Sequence, residues 1–254
     1  MSTEQLILSS ISAIFIGGVA GYLGTLMLSK RMALVAGPLG HLTLPGIVLS
    51  LIFGFDVSLG AFPFVILGIF FIWLFEQKTK LPFEALTAIV FALGVAISFL
   101  FLPMEKAKEA LIGDITKVSF SETLSIFILS SFIFFLVSKI YSKLVLIQIS
   151  EDIAKSKRIK VKLYNFLYLF SVALLVSLGV KMVGSLMTAA LVAIPAATSR
   201  NLAKNLFQYK ILSFLFGAIS ALCGVLIFKF FKLPAGPLTI IISSSFFLLS
   251  SLLK

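Results

Sequence analysis

Cutting the chain at every formal charge leaves nine long uncharged tracts, at 5–29, 32–55, 57–75, 85–104, 123–138, 163–180, 182–199, 211–228 and 233–253. A helix needs roughly 20 apolar residues to cross a hydrocarbon core ~30 Å thick, and each tract is close to that length. The shortest, 123–138, gains reach from Lys139 and Lys143, whose apolar stems can lie in the bilayer while their ammonium groups reach water. With 60% hydrophobic and 12% charged residues in 254, the chain has more apolar surface than a soluble core of its length could hide. Alternating ten-residue segments separated by turn residues are missing, which argues against a membrane β-barrel. The expectation is an all-α polytopic membrane protein of about nine transmembrane helices, with residues 1–254 forming one domain. The longest polar connection, roughly 140–161, contains QISEDIAKSKRIK and is too short to fold alone; it is expected to be a loop with a short helix.

The net charge of +11 invites a nucleic-acid partner, but its distribution reads as membrane topology. If every tract crosses once and Lys30 and Arg31 lie in the cytoplasm, that side holds 15 of the 21 lysines and arginines. Lys106, Lys108, Lys117, Lys181, Lys229 and Lys232 fall outside, which satisfies the positive-inside bias. The N-terminus is then outside and the C-terminus inside. MSTEQL has no basic run and no small-residue cleavage pattern follows it, so the first tract is expected to be retained as a helix. A single cysteine, Cys223, excludes an intrachain disulfide and a cysteine-based metal cluster.

Several chemistries are absent from the sequence. It contains no G-x-x-x-x-G-K-[ST] phosphate loop, no H-E-x-x-H zinc motif and no G-x-S-x-G nucleophile turn. ATP, if it drives anything here, must be held by another chain, and an enzymatic role is not expected. None of the ten acids lies deep in a tract, which disfavours a proton-coupled pump relaying through a mid-membrane carboxylate.

The exception to all this apolarity is His41, the only histidine, near the middle of the uncharged tract 32–55. Gly37, Pro38, Gly40, Pro45 and Gly46 surround it, residues tolerated in a spanning helix where freed backbone groups face protein or a water-filled cavity. A polar side chain beside irregular helix marks a pathway; its plainer alternative is a hydrogen-bonded histidine filling a helix contact. Pro45, Gly46 and Pro195 are expected to break their helices and permit bending. Small residues at Gly17, Gly21 and Gly24, and at Ala33, Ala36, Gly37 and Gly40, predict close helix packing.

Three stretches together resemble the permease subunits of ABC importers for zinc, manganese and related divalent metals. RMALVAGPLGHLTLPG, from Arg31 to Gly46, is similar to that family's R-M-A-L-x-x-D-x-x-S-H-x-x-L-P-G. KMVGSLMTAALVAIPAATSRNLA, from Lys181 to Ala203, resembles K-x-V-G-x-L-L-x-x-A-L-L-x-I-P-A-A-T-A-R, and FKLPAGPLTIIISSSFFLLSSL resembles the terminal L-P-x-G-P-x-I-V-L helix. EALIGDITKVS and SEDIAKSKRIKV are weaker echoes, and the matches run in the family's order along nearly the whole chain.

The resemblance implies a permease without its own ATPase site or resident cofactor, moving a divalent metal across the plasma or inner membrane of a prokaryote. Its implied partners are two cytoplasmic ATPase subunits, an extracytoplasmic metal-binding protein, a second copy of the permease and the bilayer, with no nucleic acid. In the family an acid and a histidine four apart face the path; here the acid's position is Gly37 and the preceding serine's is Gly40, so only His41 carries over as a metal contact. That loss leaves open a chelated-metal or non-metal cargo, and a secondary transporter without ATP is the rival of another class. For coupling to the ATPase the implied element is the segment 198–210, read as a short amphipathic helix carrying Arg200, Asn201, Leu202, Lys204, Leu206 and Phe207. The SEDIAKSKRIK loop is the second candidate.

Overall fold

Hydrocarbon offers no hydrogen-bond partners, so an apolar tract crossing it must satisfy its own backbone, and helix is the local solution. The computed structural model describes residues 2–29, 40–79, 81, 83–101, 113–115 and 118–253, and all regular structure among them is helical. The helices are α1 (Thr3–Ser29), α2 (Leu44–Phe53, entered through a helical turn at 40–42), α3 (Val57–Thr79), α4 (Phe83–Phe101), α5 (Phe120–Ile149), α6 (Glu151–Ser156), α7 (Val161–Leu202), α8 (Leu206–Phe231) and α9 (Ala235–Leu252). Six described stretches are long and apolar enough to span a membrane, within α1, α3, α5, α7, α8 and α9; Gly40–Phe53 and Ala85–Ile97 are shorter apolar helices. Large side chains such as Leu59, Leu100, Phe135 and Phe230 face outward, an arrangement suited to lipid and costly in water.

Polar residues punctuate the helices where the chain leaves the apolar layer. Ser119 and Glu122 form a reciprocal capping box at the start of α5. The Asp56 carboxylate accepts from the backbone N–H groups of Ser58 (2.9 Å) and Leu59 (3.1 Å) and so opens α3. Ser150 caps α6 through the N–H of Ile153, and Asn205 caps α8 through that of Gln208.

At 42 residues, α7 would measure ~63 Å if straight, about twice a hydrocarbon core. It folds back instead. Gly184 has φ 76° and ψ 170°, a conformation essentially confined to glycine. A methyl built on Gly179 would stand 3.5 Å from Cγ2 of Thr188 and 3.7 Å from Cδ2 of Leu191. In a straight helix Leu191 would lie ~18 Å further along the axis, so the halves 161–183 and 185–202 pack side by side. The two uncharged tracts 163–180 and 182–199 are thus the arms of one helical hairpin.

Inter-helix hydrogen bonds sort the helix ends onto two faces. Near the start of α1, the Ser12 hydroxyl lies 3.3 Å from that of Thr123 and Ser9 donates to the carbonyl of Ile115. Near its end, Thr25 meets the Tyr141 hydroxyl and Gln148 donates to the carbonyl of Leu26, so α1 and α5 run parallel. Ser213 donates to the carbonyl of Gly21 at 2.5 Å, and α8 runs antiparallel to α1. Asn201 donates to Ser250, joining the ends of α7 and α9. One face therefore gathers the end of α1, α6, the α7–α8 link and the end of α9. The opposite face gathers Asp56, residues 113–115, the start of α5 and the bend in α7.

The small-residue stripe in α1 is the seam of the bundle. A methyl on Gly17 would overlap the carbonyl of Gly217, one on Gly21 the carbonyl of Ser213, and one on Gly24 the carbonyl of Val192. Backbones this close gain dispersion contacts that bulkier residues would prevent. The second stripe is seen only at Gly40, whose absent side chain leaves room for the carbonyl of Ser185; Ala33, Ala36 and Gly37 lie outside the described residues.

Candidate functional site

His41 sits in the helical turn before α2, half-buried, with its ring 5.2 Å from that of Phe91 on α4. The next residue, Leu42, fills the spaces left by Gly68 on α3 and Gly94 on α4. Gly68 is eleven residues into α3, so Leu42 meets that helix ~16 Å from its Asp56 end. Gly40 holds the turn against Ser185 and Thr188, just past the bend in α7. Among the described residues the imidazole has no hydrogen-bond partner, and no three His, Cys, Asp or Glu side chains converge anywhere. Thr43 donates to the carbonyl of Gly40 and closes the turn.

Pro45 and Gly46 follow an interruption at Thr43, which separates the helical turn 40–42 from α2. Pro45 is in the first turn of α2, where its missing N–H is least costly. Its effect is local: the carbonyl of His41, four residues earlier, receives no donor from position 45. Gly46 serves close packing, since a methyl there would overlap the carbonyl of Gly60 on α3. Pro195 lies within continuous helix, its ring packed against Gly21 of α1. The sharper break is at Gly184, where φ is positive.

The bend is held by charge. Lys181, nine per cent exposed, places its ammonium 2.7 Å from a carboxylate oxygen of Asp56 and also against Glu122. One cation thereby joins the α2–α3 link, the first turn of α5 and the bend of α7. Burial would push the Asp56 carboxyl up, but hydrogen bonds with Glu122 and Lys181 and the charge of Lys181 outweigh it and hold it below the usual carboxylate range. The Asp114 N–H donates to the carbonyl of Lys181 at 3.0 Å, replacing a helical donor lost at the bend. Gly113, φ 68°, lies against the Gly184 backbone too closely for any side chain. Neither partner of Lys181 is evident in the sequence, where its closest acid, Asp152, is 29 residues away.

The segment 198–210 is a corner and not a separate helix. Ser199 to Leu202 finish α7, residues 203–205 turn, and α8 starts at Leu206. The turn is closed locally, with the Lys204 N–H donating to Gln208. Asn201 faces inward to Ser250 and Leu202 is half-buried, whereas Arg200, Lys204, Leu206 and Phe207 are exposed. The QISEDIAKSKRIK loop does contain the expected short helix, α6, anchored by Ala154 between Ile147 and Val161 and presenting Ile153 outward.

The three motif stretches therefore occupy distinct places: the His41 turn, the bend with the second arm of α7, and the α8–α9 link with α9. A family profile described as the ABC 3 transport family matches residues 2–254. The chain belongs to this family. ABC 3 relatives include the manganese import system permease protein ScaB of Streptococcus parasanguinis, 25% identical over 244 residues covering 94% of this chain and 87% of ScaB. The high-affinity zinc uptake system membrane protein ZnuB of Buchnera aphidicola is 26% identical and covers 96% of both chains. Among solved structures, PsaBC from Streptococcus pneumoniae in complex with Fab superposes with a TM-score of 0.85 at 26% identity, over 98% of this chain and 91% of that one. As an ABC 3 member with six spanning stretches among the described residues, the protein is a multi-pass membrane protein. ScaB is a permease protein of a manganese import system and ZnuB a membrane protein of a zinc uptake system, the class the sequence motifs pointed to.

Proposed function

We infer that this chain is the membrane-spanning subunit of an ABC importer for a divalent metal ion, manganese or zinc, in the plasma membrane of a prokaryote. The observation that carries this reading is the match of the ABC 3 family along residues 2–254, and the lone histidine of an uncharged tract, His41, is the chain's best metal contact. A neutral imidazole offers one nitrogen lone pair to a first-row divalent ion, and the His41 carbonyl freed by Pro45 offers an oxygen beside it. A stable zinc site needs about four ligands, so this donor set holds the ion briefly and lets it move on. Two copies related by a two-fold axis would bring two such imidazoles to one shared path. Gly37 lies outside the described residues; with no carboxylate there, selection falls mainly to an extracytoplasmic metal-binding partner.

The basic face, with Arg200, Lys204 and the α6 loop, is the cytoplasmic one under the positive-inside bias, and all nine tracts cross, placing the N-terminus outside. ATP is bound and hydrolysed by separate subunits that dock on this face. Both α6 and the α7–α8 corner present mixed basic and apolar side chains there, α6 through Ile153 and the corner through Arg200, Lys204, Leu206 and Phe207.

The test is metal uptake by vesicles reconstituted with the cognate ATPase and binding protein. His41→Ala is expected to lower uptake at least tenfold at unchanged protein level; unchanged uptake removes His41 from the path. Arg200→Glu with Lys204→Glu is expected to leave the folded permease intact while uptake per ATP hydrolysed falls severalfold. Retained stoichiometry would leave α6 as the docking element.

A further inference from the structure

A groove of about 480 Å³ runs between α1, α5 and α8 on the outward side of the bundle. Its wall is aromatic: Phe15 meets Phe127 edge-on at 4.7 Å, and Phe134 packs against both Tyr22 and Phe214. The lining spans 15–22 on α1 and 127–135 on α5, which gives a channel ~10–12 Å long parallel to the helices. The volume is far more than the ~30 Å³ share of one water, yet the lining is nearly all carbon, so water has little to bind there.

One end of the groove is different. Lys210, in the first turns of α8, is its only charged lining residue. The ammonium lies 4.8 Å over the ring of Tyr141 and makes no ion pair among the described residues. On the three helices that line the groove, no carboxylate stands near it. α8 contains none, the one acid of α5 is Glu122 at the opposite end, and the one acid of α1 is Glu4 at that same far end. A cation at the level where the helices leave the apolar layer, with an apolar channel running inward from it, matches an anionic phospholipid: phosphate on the ammonium and acyl chain along the phenylalanines.

We propose that the α1–α5–α8 groove is a specific binding site for one anionic phospholipid, with Lys210 as the headgroup contact. The lipid fills the space that no side chain occupies and ties α8 to the α1–α5 pair on the side that carries the α7–α8 corner. The site is separate from the His41 turn, and the proposal holds whatever the cargo is.

Native mass spectrometry of the detergent-purified permease complex tests it, with dioleoylphosphatidylglycerol or dioleoylphosphatidylcholine added at equal concentration. These probes share acyl chains and differ in headgroup charge. The wild type is expected to retain one phosphatidylglycerol per chain at least fivefold better than phosphatidylcholine. Lys210→Ala is expected to remove that preference while keeping weak binding of both, and Ser131→Phe, which fills the groove from its lining, to reduce retention of both. Circular dichroism and gel filtration confirm that each variant is folded, and Lys210→Arg, which keeps the charge, should restore the preference if Lys210→Ala proves unstable. Equal retention of the two lipids by the wild type, or a preference that survives Lys210→Ala, overturns the proposal. So does a Ser131→Phe variant that dissociates permease pairs, since the groove would then seat a second copy.

Discussion

Two polar features interrupt the apolar bundle, and they are handled in opposite ways. Lys181 is enclosed by two carboxylates and sits at a backbone break whose freed carbonyl is also satisfied. His41, lying beside the same break through Gly40, has an aromatic ring against it and no carboxylate among the described residues. A buried charge without partners is intolerable, so the Lys181 cluster is committed to structure. A neutral imidazole costs far less to leave unpaired, and it remains available to a passing ligand. The same bend thus serves as a fixed support for one group and as a neighbour for the other.

The contrast can be broken at four points, ordered by expected size. Lys181→Met leaves two carboxylates facing each other and should cost about 3 kcal/mol, the low end for a broken buried pair because Asp56 and Glu122 are partly exposed. It would be read as a lower thermal midpoint of the purified protein. Adding Asp56→Asn and Glu122→Gln should recover most of that loss, and a triple variant no better than the single one would mean that the charges do not hold the bend. Gly184→Ala forces a side chain into glycine-only backbone and should cost about 2 kcal/mol, checked by the same melt.

Acid provides the third test. The Asp56 carboxyl is lowered in the folded protein, so its stabilising contribution is complete above the ordinary carboxylate value and is lost as pH falls through the lowered one. Stability should therefore decline below about pH 4, and Asp56→Asn should flatten that decline. The smallest effect is expected at His41. Removing its half-buried ring should change stability by about 1 kcal/mol or less, even though uptake collapses. A large loss of stability in His41→Ala would place the histidine with Lys181 among the structural groups.

The all-helical, membrane-spanning character was legible because hydrocarbon imposes length and uncharged character on each crossing, and six described helical stretches are long and apolar enough to span. The bend was half legible. Tracts 163–180 and 182–199 are separated by one lysine, so a chain crossing twice must reverse within a few residues, and Gly179 and Gly184 flank that lysine. The prolines were uneven guides: Pro45 follows the interruption at Thr43, whereas Pro195 lies in continuous helix packed on Gly21. The partners of Lys181 were not legible, since Asp56 and Glu122 lie 125 and 59 residues from it and no local pattern links them. The corner at 198–210 was misread for a related reason. Its amphipathic composition suits a short helix, but Asn205 caps α8 and ends the turn.

Composition and tract length alone determined that this chain is a bundle of membrane-crossing helices, and its motifs alone placed it among metal-importer permeases, because those signals are local and repeated. Which polar groups became structure and which stayed open was decided only by the tertiary fold. Hydrogen bonds and ion pairs form across distances in sequence that no periodicity records. Lys181 and His41 look alike as isolated polar residues in apolar tracts; among the described residues, the fold brings carboxylates to the first and an aromatic ring to the second.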